Sequence, residues 1–182
     1  MKTKLKKWKR ISSKIVYENN YYIVIKDKVL LPDGTKYNYY LTNRKIKAVV
    51  VLPVNAKGQL LISREYRHPV GQVIYQSVGG KVEKGETPLQ AVKKELKEEA
   101  GFQASRWELL GNFYANPSRT GTIFYAYMAS GLKKVKAEPE SMEFIENDFF
   151  SQPQVENMIY EGKIKEPFFM AAYLLYKIKG RR

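Results

Sequence analysis

Apolar and polar positions alternate through much of the first third of the chain. Tyr21 to Lys26 and Val29 to Leu31 read as strands, Pro32-Asp33-Gly34 as a turn, and Lys36 to Leu41 as a further strand. A longer apolar run, Ile46 to Val54, turns at Asn55-Ala56-Lys57-Gly58 into Gln59 to Ser63, and the pair predicts a hairpin at the centre of a sheet. Gln72 to Val78 is a strand candidate leading into Gly79-Gly80. The period then changes. Leu89, Val92, Leu96 and Ala100 fall on one helical stripe, with Thr87 as cap, Pro88 at the first position, Gln90 completing a capping box and Gly101 as the stop. Strands near Trp107 to Tyr114 and Thr122 to Ala129 follow, then helices near Pro153 to Tyr160 and Pro167 to Ile178. Strands around a central helix, with helices late, predict an α+β sandwich.

Composition narrows the class of protein. The chain has 182 residues, 44% hydrophobic and 27% charged, the balance of an ordinary globular domain or a domain with a small extension. Cysteine is absent, which excludes thiolate catalysis, Cys-ligated zinc and disulfides. No apolar run reaches the ~18 residues of a membrane span, and the basic start is no signal peptide, so a cytoplasmic location without membrane attachment is expected. The net charge is +14 and the pI about 9.7, a field that attracts anions without choosing among them. Much of the excess sits at the ends, in Lys2, Lys4, Lys6, Lys7, Lys9, Arg10 and Lys14, and in Lys177, Lys179, Arg181 and Arg182. Solvated termini are the plain reading, and a nucleic-acid-binding arm the sharper one.

The chemistry gathers between Gly79 and Phe102, in GGKVEKGETPLQAVKKELKEEAGF. About 100° separates successive helical residues, so Glu95 and Glu99 stack on one face and Glu98 lies one step round. Like charges at i,i+4 cost a helix a few tenths of a kcal/mol, and a bound cation reverses that sign. Oxygen ligands without Cys or His suit Mg²⁺ or Mn²⁺. The alternative is a solvated Glu/Lys face with pairs such as Lys94 with Glu98.

The segment resembles the Nudix box, G-x5-E-x7-R-E-U-x-E-E-x-G-U, where U is a bulky apolar residue. Gly80, Glu86, Glu95, Leu96, Glu98, Glu99, Gly101 and Phe102 meet it, and Lys94 stands where the family has Arg. Meeting the pattern by chance in such a chain is roughly a one-in-10^5 event. The resemblance implies a Nudix α/β/α sandwich with a mixed sheet and an N-terminal antiparallel β extension over residues 1–43, ahead of a hydrolase domain over 44–182. Trp8, Ile15-Val16-Tyr17, the Pro32-Asp33-Gly34 turn, the run Arg64 to Arg67 with Pro69, and the tail from Glu143 to Ile164 are similar to the ADP-ribose and nucleoside-diphosphate-sugar pyrophosphatases.

That branch implies hydrolysis of ADP-ribose, GDP-mannose or a similar compound to a nucleoside monophosphate and a sugar phosphate, commonly by a homodimer. It places Glu95, Glu99 and the Gly79 carbonyl on the metal and Glu98 as a further ligand or catalytic carboxylate. Glu86 and Lys94 support the cluster, and Arg67 lies near the substrate phosphates unless it is a surface ion pair. The proton acceptor comes from the loop holding Glu138, Glu140 and Glu143, with Glu140 and Glu143 favoured. Lys94 lacks the planar fork of the family's Arg. Gln76 to Gly80 reads QSVGG where the branch often has an acidic residue. His68 is expected in a surface or packing role. Tyr22, Tyr39, Tyr40 and Tyr66 are candidates for stacking on a base. Two rival functions remain: a pyrophosphohydrolase of RNA 5′ ends, and a non-catalytic Nudix module that binds RNA or a nucleotide.

Overall fold

The computed structural model describes residues 5–42, 44, 46–138 and 144–180. They form two compact units, one of residues 1–46 with 114–122, the other of 47–113 with 123–182.

The first unit is an antiparallel sheet of β1 (Lys9–Glu18), β2 (Ile23–Leu30) and β3 (Lys36–Thr42). The break expected between Lys26 and Val29 does not occur. Asp27 and Lys28 continue β2, because Asp27 is buried beneath the sheet and held by the Arg44 guanidinium at 2.6 and 2.8 Å. The turn at Pro32-Asp33-Gly34 forms as read, with Asp33 accepting from the Thr35 N–H at 2.9 Å. One sheet face carries Asp27 and Val29, both buried. On the same unit the 114–122 segment bonds to β3: the Thr42 N–H donates to the Arg119 carbonyl at 2.8 Å and the Tyr39 hydroxyl donates to the Ser118 carbonyl.

The second unit is a mixed sheet with helices on both faces, the sandwich expected. Its path runs β6 (Gln72–Gln76), β5 (Leu60–Arg67), β4 (Lys47–Val54), β8 (Ile123–Lys134), β7 (Phe102–Tyr114), and β9 (Glu146–Phe150) also pairs with β5. The expected hairpin of 46–54 with 59–63 meets at a single pair, Val54 with Leu60. Every residue of β4 after Lys47 is buried, so both its edges require partners. β8 takes one edge in parallel register from Lys47–Ile123 to Val54–Ser130. Residues 78–82 bond the other: Val49 and Gly80 exchange both backbone hydrogen bonds at 2.8 and 3.1 Å, and Val51 donates to Val78 at 2.9 Å. β5 pairs instead with β6 and β9. The splay between β4 and β5 is what admits the glycine loop to the centre of the sheet.

Helix α1 (Pro88–Ala100) covers one face of this sheet, with Val92 and Leu96 packed among Val49, Val51, Leu61 and Val78. Helices α2 (Gln152–Tyr160) and α3 (Pro167–Lys179) cover the other, where Phe169 and Val155 meet Val50, Leu52 and Ile62. The α1 ends are as read: Thr87 and Gln90 form the reciprocal box, worth about 1 kcal/mol, and Gly101 at φ 67° takes the left-handed cap. The stripe differs at one position. Leu89 is 37% exposed and Ala91 is buried in its place, since the helix turns its Ala91–Val92 side to the sheet. Among the described residues no helix is long and apolar enough to cross a membrane.

Candidate active site

The site is built on the α1 face of the second unit, where the glycine loop runs along β4. Gly79 lies between two residues that bond to β4, so its own N–H and carbonyl point outward from that edge, as alternate residues of a ladder do. The Gly79 N–H donates to Glu99 Oε2 at 3.1 Å. Side chains are excluded here by close approach: a Cβ on Gly79 would stand 2.1 Å from the Val49 carbonyl oxygen. At Gly80 a Cβ would stand 2.2 Å from Glu95 Oε1. Two carboxylates one helical turn apart are thus set against two consecutive glycines. Glu99 is 7% exposed, a buried acid at the end of an apolar face.

The other sequence-predicted residues fall into three groups. Glu98 is half-buried on α1 and Lys94 approaches it at 3.9 Å, so the pair read from the helix face is present at the edge of contact. Glu86 lies in the turn before α1, where its carboxylate accepts the Glu83 N–H at 3.0 Å. Arg67 ends β5; its guanidinium pairs with Glu65 at 3.0 Å and donates to Gln76 Oε1 at 2.8 Å. Glu140 and Glu143 lie outside the described residues. Glu138 is exposed and bonded to Lys97 Nζ at 3.0 Å; that hydrogen bond and the Lys97 charge hold its carboxyl below the ordinary range. His68 opens a short 3₁₀ turn, His68–Val70, and its ring lies 6.3 Å from that of Tyr66.

Sequence reasoning passed over three side chains that hold this arrangement. Glu65, 9% exposed, accepts from Gln76 Nε2 at 2.7 Å as well as from Arg67, so a buried carboxylate stands beside the glutamine found where the branch often has an acid. Strand alternation puts Ser63, Glu65 and Arg67 on the side of Leu61, which packs with α1. Asn147 on β9 donates to the Glu99 carbonyl at 2.9 Å and accepts from Ser63 Oγ at 2.7 Å. Glu166 caps α3, accepting from Phe168 and Phe169 at 2.9 and 2.6 Å, and accepts from Ser77 Oγ at 3.2 Å just ahead of the glycines. The signal for Glu166 was present: an acid before Pro167 is a cap.

A divalent ion fits this chemistry. The donors are oxygens, Glu99 is aimed by a backbone N–H, and the Glu95 carboxylate occupies space that only glycine leaves open. No cluster of three or more acidic or histidine side chains forms an ion cage by itself among the described residues. Mg²⁺ requires no such cage, since it keeps several waters and is held by one or two carboxylates together with substrate phosphates.

In the first unit, Trp8, Tyr39, Arg44 and Arg119 line a pocket of about 340 Å³, with the Trp8 and Tyr39 rings edge to face at 6.1 Å. Tyr22 and Tyr40 are exposed on the same unit.

An oxygen-rich site on a sandwich of helices around a mixed sheet suits phosphate-ester or diphosphate hydrolysis. Residues 44–171 match the family model for the NUDIX domain, and residues 8–41 match that for the nucleoside diphosphate sugar hydrolase N-terminal domain. The chain belongs to the Nudix hydrolases, in the branch similar to ADP-ribose and nucleoside-diphosphate-sugar pyrophosphatases. Nudix hydrolases generally use divalent metals. A protein of Bacillus methanolicus named methanol dehydrogenase activator is 31% identical over 144 residues, 75% of this chain and 77% of that one. An ADP-ribose pyrophosphatase of Bacillus subtilis is 33% identical over 54% of this chain and 55% of its own. One from Mycobacterium tuberculosis is 27% identical over 72% and 63%. The solved structure of an ADP compounds hydrolase superposes with a TM-score of 0.89 over 98% of both chains at 20% identity, a likeness of fold.

Proposed function

We propose that the chain hydrolyses the diphosphate of a nucleoside diphosphate sugar, ADP-ribose foremost, to a nucleoside monophosphate and a sugar phosphate with Mg²⁺ as cofactor. The observation that carries this is the pair of carboxylates, Glu95 and Glu99, set against Gly80 and Gly79. Glu95, Glu99 and the Gly79 carbonyl would hold the ion, with Glu98 as a further ligand. Bound there, a divalent cation neutralises the phosphate oxygens and lowers the pKa of an attacking water. Arg67, held flat between Glu65 and Gln76, is suited to orient an anionic phosphate on the same face.

The proton acceptor falls to Glu140 or Glu143. What supports this is the anchoring of the segment that carries them. The Glu138 N–H donates to the Glu98 carbonyl at 3.1 Å, and Asn147 reaches the Glu99 carbonyl. Both flanks of residues 139–143 are therefore fastened to the end of the helix that bears the carboxylates. Residues 1–43 would serve as a dimerisation and substrate extension to the 44–182 catalytic domain, in a cytoplasmic homodimer. The measurement is release of AMP from ADP-ribose, and of GMP from GDP-mannose, by the purified chain with Mg²⁺ or Mn²⁺. Glu99→Gln should lower kcat/KM by at least about 10³-fold, the order of a lost catalytic carboxylate. Absence of monophosphate from every sugar nucleotide tried would end this reading. Equal activity in Glu99→Gln and wild type would point to a non-catalytic module.

A further inference from the structure

The two faces of the three-stranded sheet differ in a way that hydrolysis does not use. Strand pairing puts Ser12 opposite Lys28 and Lys14 opposite Lys26, and across the other edge Lys28 opposite Asn38 and Lys26 opposite Tyr40. Lys9 opposite Leu30 and Lys36 opposite Leu30 extend the same face at the sheet's end. Period-two alternation therefore gathers Lys9, Lys14, Lys26, Lys28 and Lys36 on one side, while Asp27 and Glu18 fall on the other. No paired position of the lysine face is acidic, and among the described residues none of these lysines has a salt bridge.

Like charges directly across an antiparallel pair destabilise it, so Lys14 against Lys26 works against the sheet. A bound polyanion would reverse that sign. Ser12, Lys14, Lys26, Lys28 and Asn38 line a shallow groove of about 350 Å³ that crosses all three strands. Rings accompany the charges: Tyr17, paired with Val24, lies on this face and is exposed, and Lys26 Nζ sits 5.6 Å from the centre of the Tyr40 ring. Residues Lys6 and Lys7 lead directly into β1. A second copy of this face is a poor occupant, because an isologous contact would set lysine against lysine.

We propose that this face binds a single-stranded nucleic acid, RNA or DNA, with the lysines on phosphates and Tyr17 stacking on a base. Lysines two apart on β2 repeat at about 6.7 Å, which tracks an extended sugar-phosphate backbone, and exposed rings among positive charges are the means by which single strands are held without sequence preference. An acidic membrane would use the charge and leave the rings unexplained.

The test uses the full chain and a fluorescein-labelled oligouridylate of about 16 nucleotides, the upper site size of a single-strand platform. Engagement of about four phosphates predicts a roughly 50-fold loss of affinity between 50 and 200 mM salt. Lys14→Glu/Lys26→Glu/Lys28→Glu should weaken binding more than tenfold, the corresponding triple Gln variant should be intermediate, and both should keep the wild-type circular dichroism spectrum and cooperative thermal unfolding as a sign of intact folding. Unchanged binding in the triple Glu variant, or its loss in Lys2→Gln/Lys4→Gln/Lys6→Gln/Lys7→Gln instead, would overturn the assignment. So would binding to phosphatidylserine vesicles without binding to the oligonucleotide.

Discussion

The segment from Gly79 to Gly101 and the sheet from Lys9 to Thr42 are both amphipathic, and they owe it to different causes. In the first, each pattern residue is constrained from two sides. Gly79 meets the Val49 carbonyl on one side and Glu99 on the other; Leu96 is buried one residue from Glu95. In the second, one face buries Asp27 and Val29 of β2, and the other presents lysines to water. Where packing and chemistry constrain the same atoms, the residue types admit few alternatives. Where only one face is packed, the open face is free to take a charge pattern that folding does not favour.

The largest effect that separates these regions is expected at the paired glycines. Gly79→Ala puts a methyl 2.1 Å from a backbone oxygen, and neither strand can withdraw without breaking the Val49–Gly80 hydrogen bonds. A loss of about 3 kcal/mol is expected, or about 10 °C in Tm for a chain of this size. Gly80→Ala meets the far end of the Glu95 side chain, which can swing away, so the cost should stay below about 1 kcal/mol. Its effect falls on catalysis: with the Glu95 carboxylate displaced, ADP-ribose hydrolysis should drop about 10²-fold at unchanged Tm. Thermal unfolding and steady-state rates on the two variants decide it. Full activity in Gly80→Ala would detach Glu95 from the metal role proposed for it.

The same contrast explains what could be read in advance. Helix α1 was legible from cap to stop because its signals are local: Thr87 with Gln90, Pro88 and Gly101 act within a few residues of each other. Glu95, Glu98 and Glu99 were legible because their spacing is regular on one helix, and Glu86 by its fixed distance ahead of them. β1 was not set apart as a strand by pattern, since all ten of its residues are exposed and no alternation marks it. Glu65, Asn147 and Glu166 were missed for another reason. Asn147 reaches Ser63 across 84 residues, Glu166 reaches Ser77 across 89 and Glu65 reaches Gln76 across 11, so these contacts are set by no local pattern, although the cap that Glu166 makes ahead of Pro167 is itself a local signal. The hairpin reading was incomplete on the same ground: β4 and β5 are antiparallel neighbours that meet at Val54–Leu60, and the long partner of β4 is the distant β8.

A smaller effect is expected in the first unit, at its buried ion pair. Burial by itself raises the Asp27 pKa; hydrogen bonds from Arg44 and Ser13, with the charges of Arg44 and Arg10, more than reverse it, so the carboxyl titrates below its usual 3.8. A depressed folded value means that the stabilisation is fully present above the unfolded pKa and is lost as pH falls through the folded one. Acid unfolding of this unit should therefore set in below about pH 3.8. Asp27→Asn should cost about 2 kcal/mol at pH 7, leaving the Arg44 charge without its partner, and should flatten that acid limb. Chemical denaturation followed across pH measures both, and a variant with the wild-type acid profile would remove Asp27 from the account.

The smallest effect is expected at Glu138, on the loop fastened to the end of α1. Its exposed carboxylate accepts from Lys97 at 3.0 Å, and that bond and charge keep it ionised to lower pH than an ordinary glutamate. A general base serves best with a pKa near the working pH, so this shift makes Glu138 a poorer proton acceptor than an unpaired glutamate would be. An exposed ion pair also adds little stability. Glu138→Gln should leave Tm unchanged, kcat within about twofold and the pH–rate profile superimposable on wild type, whereas Glu140→Gln or Glu143→Gln should lower kcat by about 10²- to 10⁴-fold. The loop backbone is fastened by the Glu138 N–H rather than by its carboxylate, so the substitution leaves that anchor in place. A tenfold fall in Glu138→Gln, with loss of the acidic limb, would transfer the base to Glu138 and make Lys97 the residue that tunes it.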